Sequence, residues 1–583
     1  MPLAQYSGTL KRKGAAHLLR RITFGPNKQD IDTFSGYTPA QAINLLFQDT
    51  PEPLPPLDLK TGTTWVNGPS TPANSSDIAL EGYFKGWWVN QMLAHNVPAN
   101  QRLPYLVREK IIFFLHTHLT TIQSAVASSR ALYFQIALFR KFALDGSAPL
   151  KINLKELTKK ISIDNAMLNL LDGKLNVKGD PNENYGRELI ELYTLGKGLQ
   201  GFIPATSTPG DYVYYREQDV RAAALVLSGW NTDLTFTTID PDTGLPRGKA
   251  KIGTPPVASQ HDNTIKQFSD HFGNAVITPN PALLSGGQAT EASMLDELSQ
   301  LIDLLYAQPE CPKNICRKLY RFFVYHDIDD NIDTNIISEL ATSFVNGGYK
   351  LEPVIREILG SQHFYDMMDS DVNNDKFGAI IKSPLELITE TLNFFEYSLP
   401  DYNSNLQDFY QTTAGLFDDM RYMGMDFMNP LDVAGYDAYH QFPDFNRAWI
   451  STNTLNRRYD FIFLSMTTDN MGMGGAISID LYAYMKLRFA YVADTPDAFI
   501  RELITYLFPL SQETTEITTE RLTYFKTQFY KLGVVLGKDL GPEVFWKFSW
   551  ANGDTIPDSK TDARGMLQDL INALLQSPEF QLD

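Results

Sequence analysis

Apolar residues along most of this chain recur every three or four positions, the spacing of one face of an α-helix. The pattern is clear in segments as far apart as 124–144, 291–306 and 563–575. It is lost in residues 50–76, which are rich in proline and small polar residues, and in residues 231–290, which are rich in Thr, Asp, Gly and Pro. We therefore predict a mainly α, large multi-helix protein with long irregular loops at these two places and at most a small hairpin.

The length of 583 residues is enough for a large core and more than one domain. Helical periodicity ends near residue 360 and resumes after about residue 375. We predict an N-terminal helical domain over residues 1–370, with 50–76 and 231–290 as irregular excursions from it. Residues 371–583 are predicted to form a C-terminal helical domain.

One helix with strong end signals is predicted between Asp180 and Gly196. Asp180 is a good N-cap, and Pro181 suits the first helical position because its missing N–H would have no partner there. Glu183 lies three residues after Asp180, which completes a capping-box pattern. Gly196 ends the apolar stripe and favours a helix stop.

The polar face of this helix carries Glu183, Arg187, Glu188 and Glu191. Adjacent carboxylates raise the pKa of one of them, so this set predicts a general acid–base pair. The alternative is a buried network in which Arg187 neutralises the glutamates and holds neighbouring helices together.

His116 and His118 form a His-x-His pair near the end of another predicted helix. Residues two apart in a continuous helix point about 200° away from each other, so both can bind one metal only if the helix ends between them. The functional interpretation joins both imidazoles to Glu188 and Glu191 in a site for a divalent metal. In the alternative, the histidines cap or bridge helices through hydrogen bonds.

His261 and Asp262 lie in the irregular excursion that follows residue 230. Loops on a rigid scaffold often carry function, so His261 is a candidate base, Asp262 a candidate ligand or base, and Lys266 a candidate anion contact. A turn capped by the aspartate is the structural alternative. With Glu183 and Arg187, these two residues complete the predicted catalytic set.

Net charge and hydropathy argue against a nucleic-acid partner and against a membrane protein. The formal charge of −18 argues against a nucleic-acid partner, because phosphate neutralisation requires a basic surface. No stretch of about 18 apolar residues is present, and no apolar run follows the basic N-terminal residues, so neither a membrane span nor a signal peptide is predicted. We expect a soluble, cytoplasmic protein, with an exported form left open. His17, Arg20 and Arg21 are predicted to form a basic face of an amphipathic helix.

Eight motifs in order resemble a large bacterial family, the domain of unknown function eighteen hundred. They are AAHLLRRITFGP at 15–26, REKIIFFLHTHLTT at 108–121, PNENYGRELIELYTLGKG at 181–198, EQDVRAAALVLSGW at 217–230, HDNTIK at 261–266, RKLYRFFV at 317–324, IKSPLELI at 381–388 and WISTNTLNRR at 449–458. The resemblance implies a large, mostly helical protein. It also implies that an exported partner family related to sulfatases often accompanies proteins of this kind.

Three functions follow as hypotheses. The first is a metal-assisted hydrolase with the residues named above. The second is a non-catalytic helper or maturation partner of a sulfatase-like enzyme, which rests on the resemblance. The third is a carbohydrate- or polymer-binding scaffold whose groove is lined by aromatic and imidazole rings, with core packing as its alternative: Trp230, Tyr436, Tyr439, His440 and Trp449.

Overall fold

The computed structural model describes residues 3–66, 74–146, 149, 152–206, 211–366, 376–467, 476–510, 516–536 and 540–583. These residues are mainly helical, which confirms the predicted fold class. The boundary predicted between residues 370 and 371 lies outside the described residues, so the division into two domains stays a prediction.

The helices before the long excursion are α1 (Lys11–Ile22), α2 (Lys28–Phe34), α3 (Pro39–Leu46), α4 (Asp77–Leu93), α5 (Ala99–His118), α6 (Gln123–Val126), α7 (Ser129–Ala143), α8 (Leu154–Ile161), α9 (Asn165–Leu170), α10 (Glu183–Glu188) and α11 (Glu217–Val226). After it come α12 (Glu291–Tyr306), α13 (Glu310–Phe323), α14 (Asp330–Ile332), α15 (Ser338–Asn346) and α16 (Leu351–Gly360). A π-helical turn continues α10 over Leu189–Thr194, and another joins α14 to α15 over Asp333–Ile337.

The remaining helices are α17 (Pro384–Phe394), α18 (Leu406–Tyr422), α19 (Asp437–His440), α20 (Thr452–Met466), α21 (Leu481–Arg488), α22 (Pro496–Leu507), α23 (Thr519–Phe529), α24 (Lys531–Leu536), α25 (Pro542–Asn552) and α26 (Pro557–Leu575). None of the described helices is long and apolar enough to cross a membrane.

The excursion at 231–290 contains two small antiparallel sheets, where the sequence predicted at most one hairpin. β1 (Trp230–Asn231) pairs with β2 (Lys249–Ala250), and β3 (Lys266–Gln267) pairs with β4 (Val276–Ile277). Each strand is two residues long, which is too short for its alternation of apolar and polar residues to be recognised in the sequence.

The start of α10 differs from the prediction. The helix begins at Glu183, and Asn182 is its N-cap, accepting a hydrogen bond from the Asn184 backbone N–H at 3.0 Å. Asp180 and Pro181 therefore precede the helix and do not form its first turn. The predicted stop is confirmed, since Gly196 follows the π-helical turn with φ of 74°.

Helix α1 is fixed by two buried arginines rather than carrying an exposed basic face. Arg20 Nε donates to Glu390 Oε1 at 3.0 Å. Arg21 donates to four backbone carbonyl oxygens at 2.6–3.0 Å, those of Phe323, Val324, Lys376 and Asp583. Because a buried guanidinium needs partners for its donors, these bonds determine where α1 packs against the distant segments.

Helices α5 and α7 are joined by a fully buried ion pair. Arg140 donates to Glu109 with Nη2–Oε2 2.7 Å, Nη2–Oε1 2.8 Å and Nε–Oε1 3.1 Å. Trp88 Nε1 donates to the same carboxylate at 3.2 Å. The pair holds α5 in register beside α4 and α7, and α5 carries the His-x-His motif.

Candidate functional site

Helix α5 runs without a break through both histidines, and their rings lie in different surroundings. His116 is fully buried in the core, where its ring meets that of Trp88 edge-on at 5.5 Å between centroids. Neither of its ring nitrogens has a hydrogen-bond partner among the described residues. Burial lowers the pKa of His116 to about 4, so this imidazole is neutral at pH 7.

His118, the last residue of α5, borders a cavity. Its Nδ1 lies 3.1 Å from Nζ of Lys318, and its ring stacks on that of Phe114. Its Nε2 has no partner among the described residues. Burial and the neighbouring Lys318 charge lower the pKa of His118 well below its ordinary value.

We name this space the basic cavity, after the side chains that line it: His118, Lys318, Arg321, His326 and His440. Aromatic rings complete the wall, among them Phe114, Phe322, Tyr439, Phe445 and Trp449. The cavity volume is about 40 Å³, and the space that also takes in the open solvent at its mouth is about 660 Å³. Helices α5 and α13 form one side, and the segment around α19 forms the other.

Lys318 and Arg321 lie three residues apart on α13, and neither forms an ion pair with a carboxylate of the described residues. Lys318 Nζ donates to the Leu192 carbonyl oxygen at 2.6 Å, and burial lowers the pKa of this lysine to about 7. Arg321 Nε donates to the His326 carbonyl oxygen at 3.3 Å, and its guanidinium lies 4.6 Å from the ring centre of Phe445. Burial, and then the charge of Arg317, lowers the pKa of Arg321 to about 10.

Arg317, one residue before Lys318 on the same helix, shows the opposite arrangement. It pairs with Glu310 and with Asp333, whose Oδ1 lies 2.5 Å from Arg317 Nε. Glu386 borders the basic cavity, but its carboxylate is already occupied by Lys110 Nζ and by the Ser383 backbone N–H. The cavity therefore holds two basic side chains that form no ion pair with a carboxylate of the described residues, and the charges of Asp327 and Asp333 act on the pKa of Arg321 without reaching ion-pair distance.

The predicted acidic helix approaches the basic cavity through its backbone. Lys318 Nζ donates to the carbonyl of Leu192 and also meets His118, so the His-x-His helix and the π-helical turn are joined at this lysine. Glu191 accepts from Tyr215 Oη at 2.8 Å and pairs with Lys197. Glu188 is half-buried, and burial followed by the charges of Glu191 and Asp432 raises its pKa to about 7.

Arg187 belongs to a network between helices. Its two terminal nitrogens donate to Glu217 at 2.8 Å each, and its Nη2 lies 3.8 Å from Glu183 Oε2. The main partner of Arg187 therefore lies on α11 and not on the helix that carries Arg187, and the pair is partly exposed. Among the described residues, no group of three or more His, Cys, Asp and Glu side chains is arranged to hold a metal ion.

His261 and Asp262 fasten the excursion to the helices. His261 is buried, with Nδ1 2.8 Å from the Ser228 carbonyl oxygen and Nε2 3.4 Å from Glu297 Oε2. Ser228 Oγ donates to the Leu225 carbonyl oxygen and accepts from the Asp262 backbone N–H. Asp262 in turn accepts a hydrogen bond from the Thr264 backbone N–H at 2.9 Å. This bond forms an aspartate-capped turn, which was the structural alternative to a catalytic role for this residue. Ser228 is buried as well, so this Ser–His–Glu cluster has no open face to a substrate.

Sequence reasoning missed Lys318, Arg321 and His326 as site residues. The motif RKLYRFFV contains Lys318 and Arg321. Basic residues three apart on a helix ordinarily form a face exposed to solvent, so the motif did not indicate a site. Tyr439, His440 and Trp449 of the predicted aromatic groove do line the basic cavity, whereas Tyr436 packs behind them, 6.0 Å from Trp449 between ring centroids. Trp230 is fully buried.

Comparison with known proteins adds one finding. A family model described as "Protein of unknown function (DUF1800)" matches residues 17–582, nearly the whole chain. No curated protein and no solved structure matches the chain.

Proposed function

Since the chain belongs to the DUF1800 family, whose description assigns no chemistry, we propose a function from the basic cavity itself. The protein is a hydrolase that holds the anionic part of a small substrate at Lys318 and Arg321. The observation that carries this proposal is that both cations border a cavity without a carboxylate partner. In a protein of net charge −18, a cationic site left open in this way selects for an anion from solution.

His118 is the proton donor in this cavity. Its Nδ1 faces Lys318 Nζ, a hydrogen-bond donor, so Nδ1 accepts and the proton of the neutral imidazole is on Nε2. Nε2 has no partner in the described protein, and its proton is available for a leaving group. As Nε2 gives up this proton, Lys318 passes one to Nδ1, so the imidazole stays neutral and the pair is a short relay.

The metal-dependent form of the hydrolase stays a prediction, with His116, His118, Glu188 and Glu191 as ligands of a divalent metal. The same holds for Glu183, Arg187, His261 and Asp262 as catalytic residues. Elemental analysis of the purified protein tests the metal: a stoichiometric divalent ion lost on replacing His118 would support it. Purified protein without such an ion would rule out the metal-dependent form and leave the metal-free relay of His118 and Lys318 as the mechanism.

Replacing Arg321 by glutamine is expected to weaken anion binding roughly 10- to 100-fold, because a charge-assisted hydrogen bond contributes about 1.5–3 kcal/mol. The measurement is isothermal titration of the full-length protein with benzoate and with inorganic phosphate. Arg457→Gln is the matched control, since Arg457 forms an exposed pair with Asp460 and should leave binding unchanged. Absence of saturable binding, or equal binding by Arg321→Gln, would contradict the proposal.

Affinity for benzoate is expected to fall as pH rises through about 7. Below that pH Lys318 is charged and attracts the anion, and above it the amine becomes neutral because burial lowers its pKa to about 7. His118 and His440, with lowered pKa values, are neutral throughout, and Glu386, whose lowered pKa reflects Lys110, stays ionised. Titrations across this range should show the fall in the native protein and not in Lys318→Met. A pH-independent affinity in the native protein would rule out Lys318 as the titrating group.

Experiments on the same cavity distinguish a binding protein without catalysis from a hydrolase. Saturable anion binding without hydrolysis of carboxylate- or phosphate-bearing esters would favour the helper or scaffold hypothesis. Loss of ester hydrolysis in His118→Gln, with benzoate binding retained, would support the hydrolase.

A further inference from the structure

Lys318 differs from several other buried lysines of this protein in what its amine contacts. Lys110, Lys266 and Lys382 each pair with a glutamate, namely Glu386, Glu297 and Glu390. A carboxylate at that distance keeps an amine protonated and unreactive. Lys318 Nζ instead contacts two neutral groups, the Leu192 carbonyl oxygen and His118 Nδ1.

The surroundings of Lys318 meet the requirements of a nucleophilic amine. Such lysines are desolvated or placed beside another cation, which favours the neutral form with a free electron pair. Lys318 is in both situations, because its amine lies in the wall of the basic cavity and Arg321 lies one helical turn away on α13.

We propose that Lys318 forms an imine with a small carbonyl compound that carries an anionic group next to its carbonyl, such as a 2-oxo acid. The proposal rests on the proposed function in one respect, since Arg321 is the group that holds the anion. Beyond that it names a different reaction at the same cavity, imine formation, and the substrate class for it.

The positions of the three groups fit this chemistry. Arg321 lies one helical turn from Lys318, and residues at that spacing have Cβ atoms about 5–6 Å apart. An anionic group held by Arg321 thus places a neighbouring carbonyl carbon within reach of Lys318 Nζ. His118, in contact with Nζ, is the proton donor and acceptor for the addition, and the aromatic walls limit competing water.

The step balances without an oxidant or reductant. The electron pair of Lys318 Nζ forms a bond to the carbonyl carbon, and one amine proton passes through His118 to the carbonyl oxygen, which becomes a hydroxyl group. The second amine proton then passes by the same route to the hydroxyl group, which departs as water while the C=N bond forms. The sum is amine plus carbonyl giving imine plus one water, with both protons of the water taken from the amine and His118 unchanged.

Trapping with borohydride tests the proposal on the full-length protein. Native protein is incubated with pyruvate and sodium cyanoborohydride, and the intact mass and peptide map are measured. We expect a single reduced pyruvyl adduct on Lys318, suppressed by excess benzoate and reduced at least about tenfold in Arg321→Gln. Acetone, which lacks the anionic group, should label Lys318 far less. Lys547→Arg is the control, because Lys547 is exposed and paired with Glu543 on one helix face.

Because the adduct is located by peptide mapping of the native protein, the result does not depend on whether a variant of Lys318 folds. Labelling that is absent from Lys318, or no greater there than on exposed lysines, would overturn the imine. If benzoate still binds in that case, the anion site of the proposed function survives alone. If neither benzoate binding nor an adduct is found, both proposals fail.

Discussion

Glu109→Gln is expected to lower the free energy of unfolding by about 3–5 kcal/mol, because removing one partner of a buried ion pair leaves the other charge uncompensated. Glu109 is fully buried and accepts three hydrogen bonds from Arg140 and one from Trp88. Glutamine keeps the shape but offers one neutral acceptor oxygen. Denaturant titration followed by circular dichroism measures the loss.

Two comparisons separate charge from packing at this position. Asp460→Asn alters an exposed pair with Arg457 and should change stability by less than about 1 kcal/mol. The double variant Glu109→Leu with Arg140→Met should regain most of the loss, since a hydrophobic replacement of a buried pair is often neutral. Equal, small losses for Glu109→Gln and Asp460→Asn would show that the buried pair contributes nothing special.

Gly25→Ala is expected to cost about 2–5 kcal/mol, as the sum of backbone strain and steric overlap. Gly25 has φ of +108°, a conformation that residues with a Cβ rarely adopt. A Cβ atom built there would lie 2.5 Å from the Cα of Glu390, the residue that binds Arg20. Because the clash involves backbone, it cannot be relieved by a side-chain rotation.

Gly36→Ala is the matched control at the other end of α2. No atom lies within 4 Å of the Cβ that it would add, and its φ is not in the left-handed region. We expect a change within about 0.5–1 kcal/mol. Thermal unfolding of both variants decides the point, and a Gly25→Ala protein as stable as Gly36→Ala would refute the predicted overlap.

The helical fold could be predicted because its signals are local. Apolar periodicity and glycine stops are properties of a few consecutive residues, and the predicted segment 291–306 coincides with α12. The start of α10 was missed because Asn182, two residues after Asp180, is an equally good N-cap residue, and it forms the observed cap. The two-residue strands gave no pattern that a sequence could reveal.

The basic cavity could not be predicted, because its members are far apart in sequence. His118 and Lys318 are 200 positions apart, and no local pattern relates them. His118 itself was recognised, but it is linked to the acidic helix through Lys318, which donates to the Leu192 carbonyl, a backbone group that any residue would supply. The sequence also paired Arg187 with glutamates of its own helix, whereas Glu217 is its bidentate partner.

The four carbonyl bonds of Arg21 have a consequence for biosynthesis. One acceptor, the carbonyl of Asp583, lies 562 positions further along the chain. At a translation rate of about 5–20 residues per second, roughly 30–110 s pass between the emergence of the two groups from the ribosome. The Phe323 and Val324 carbonyls emerge well before that of Asp583, so the bonds to Arg21 are completed in stages. Full packing of α1 is therefore expected to follow the folding of the segments made after it.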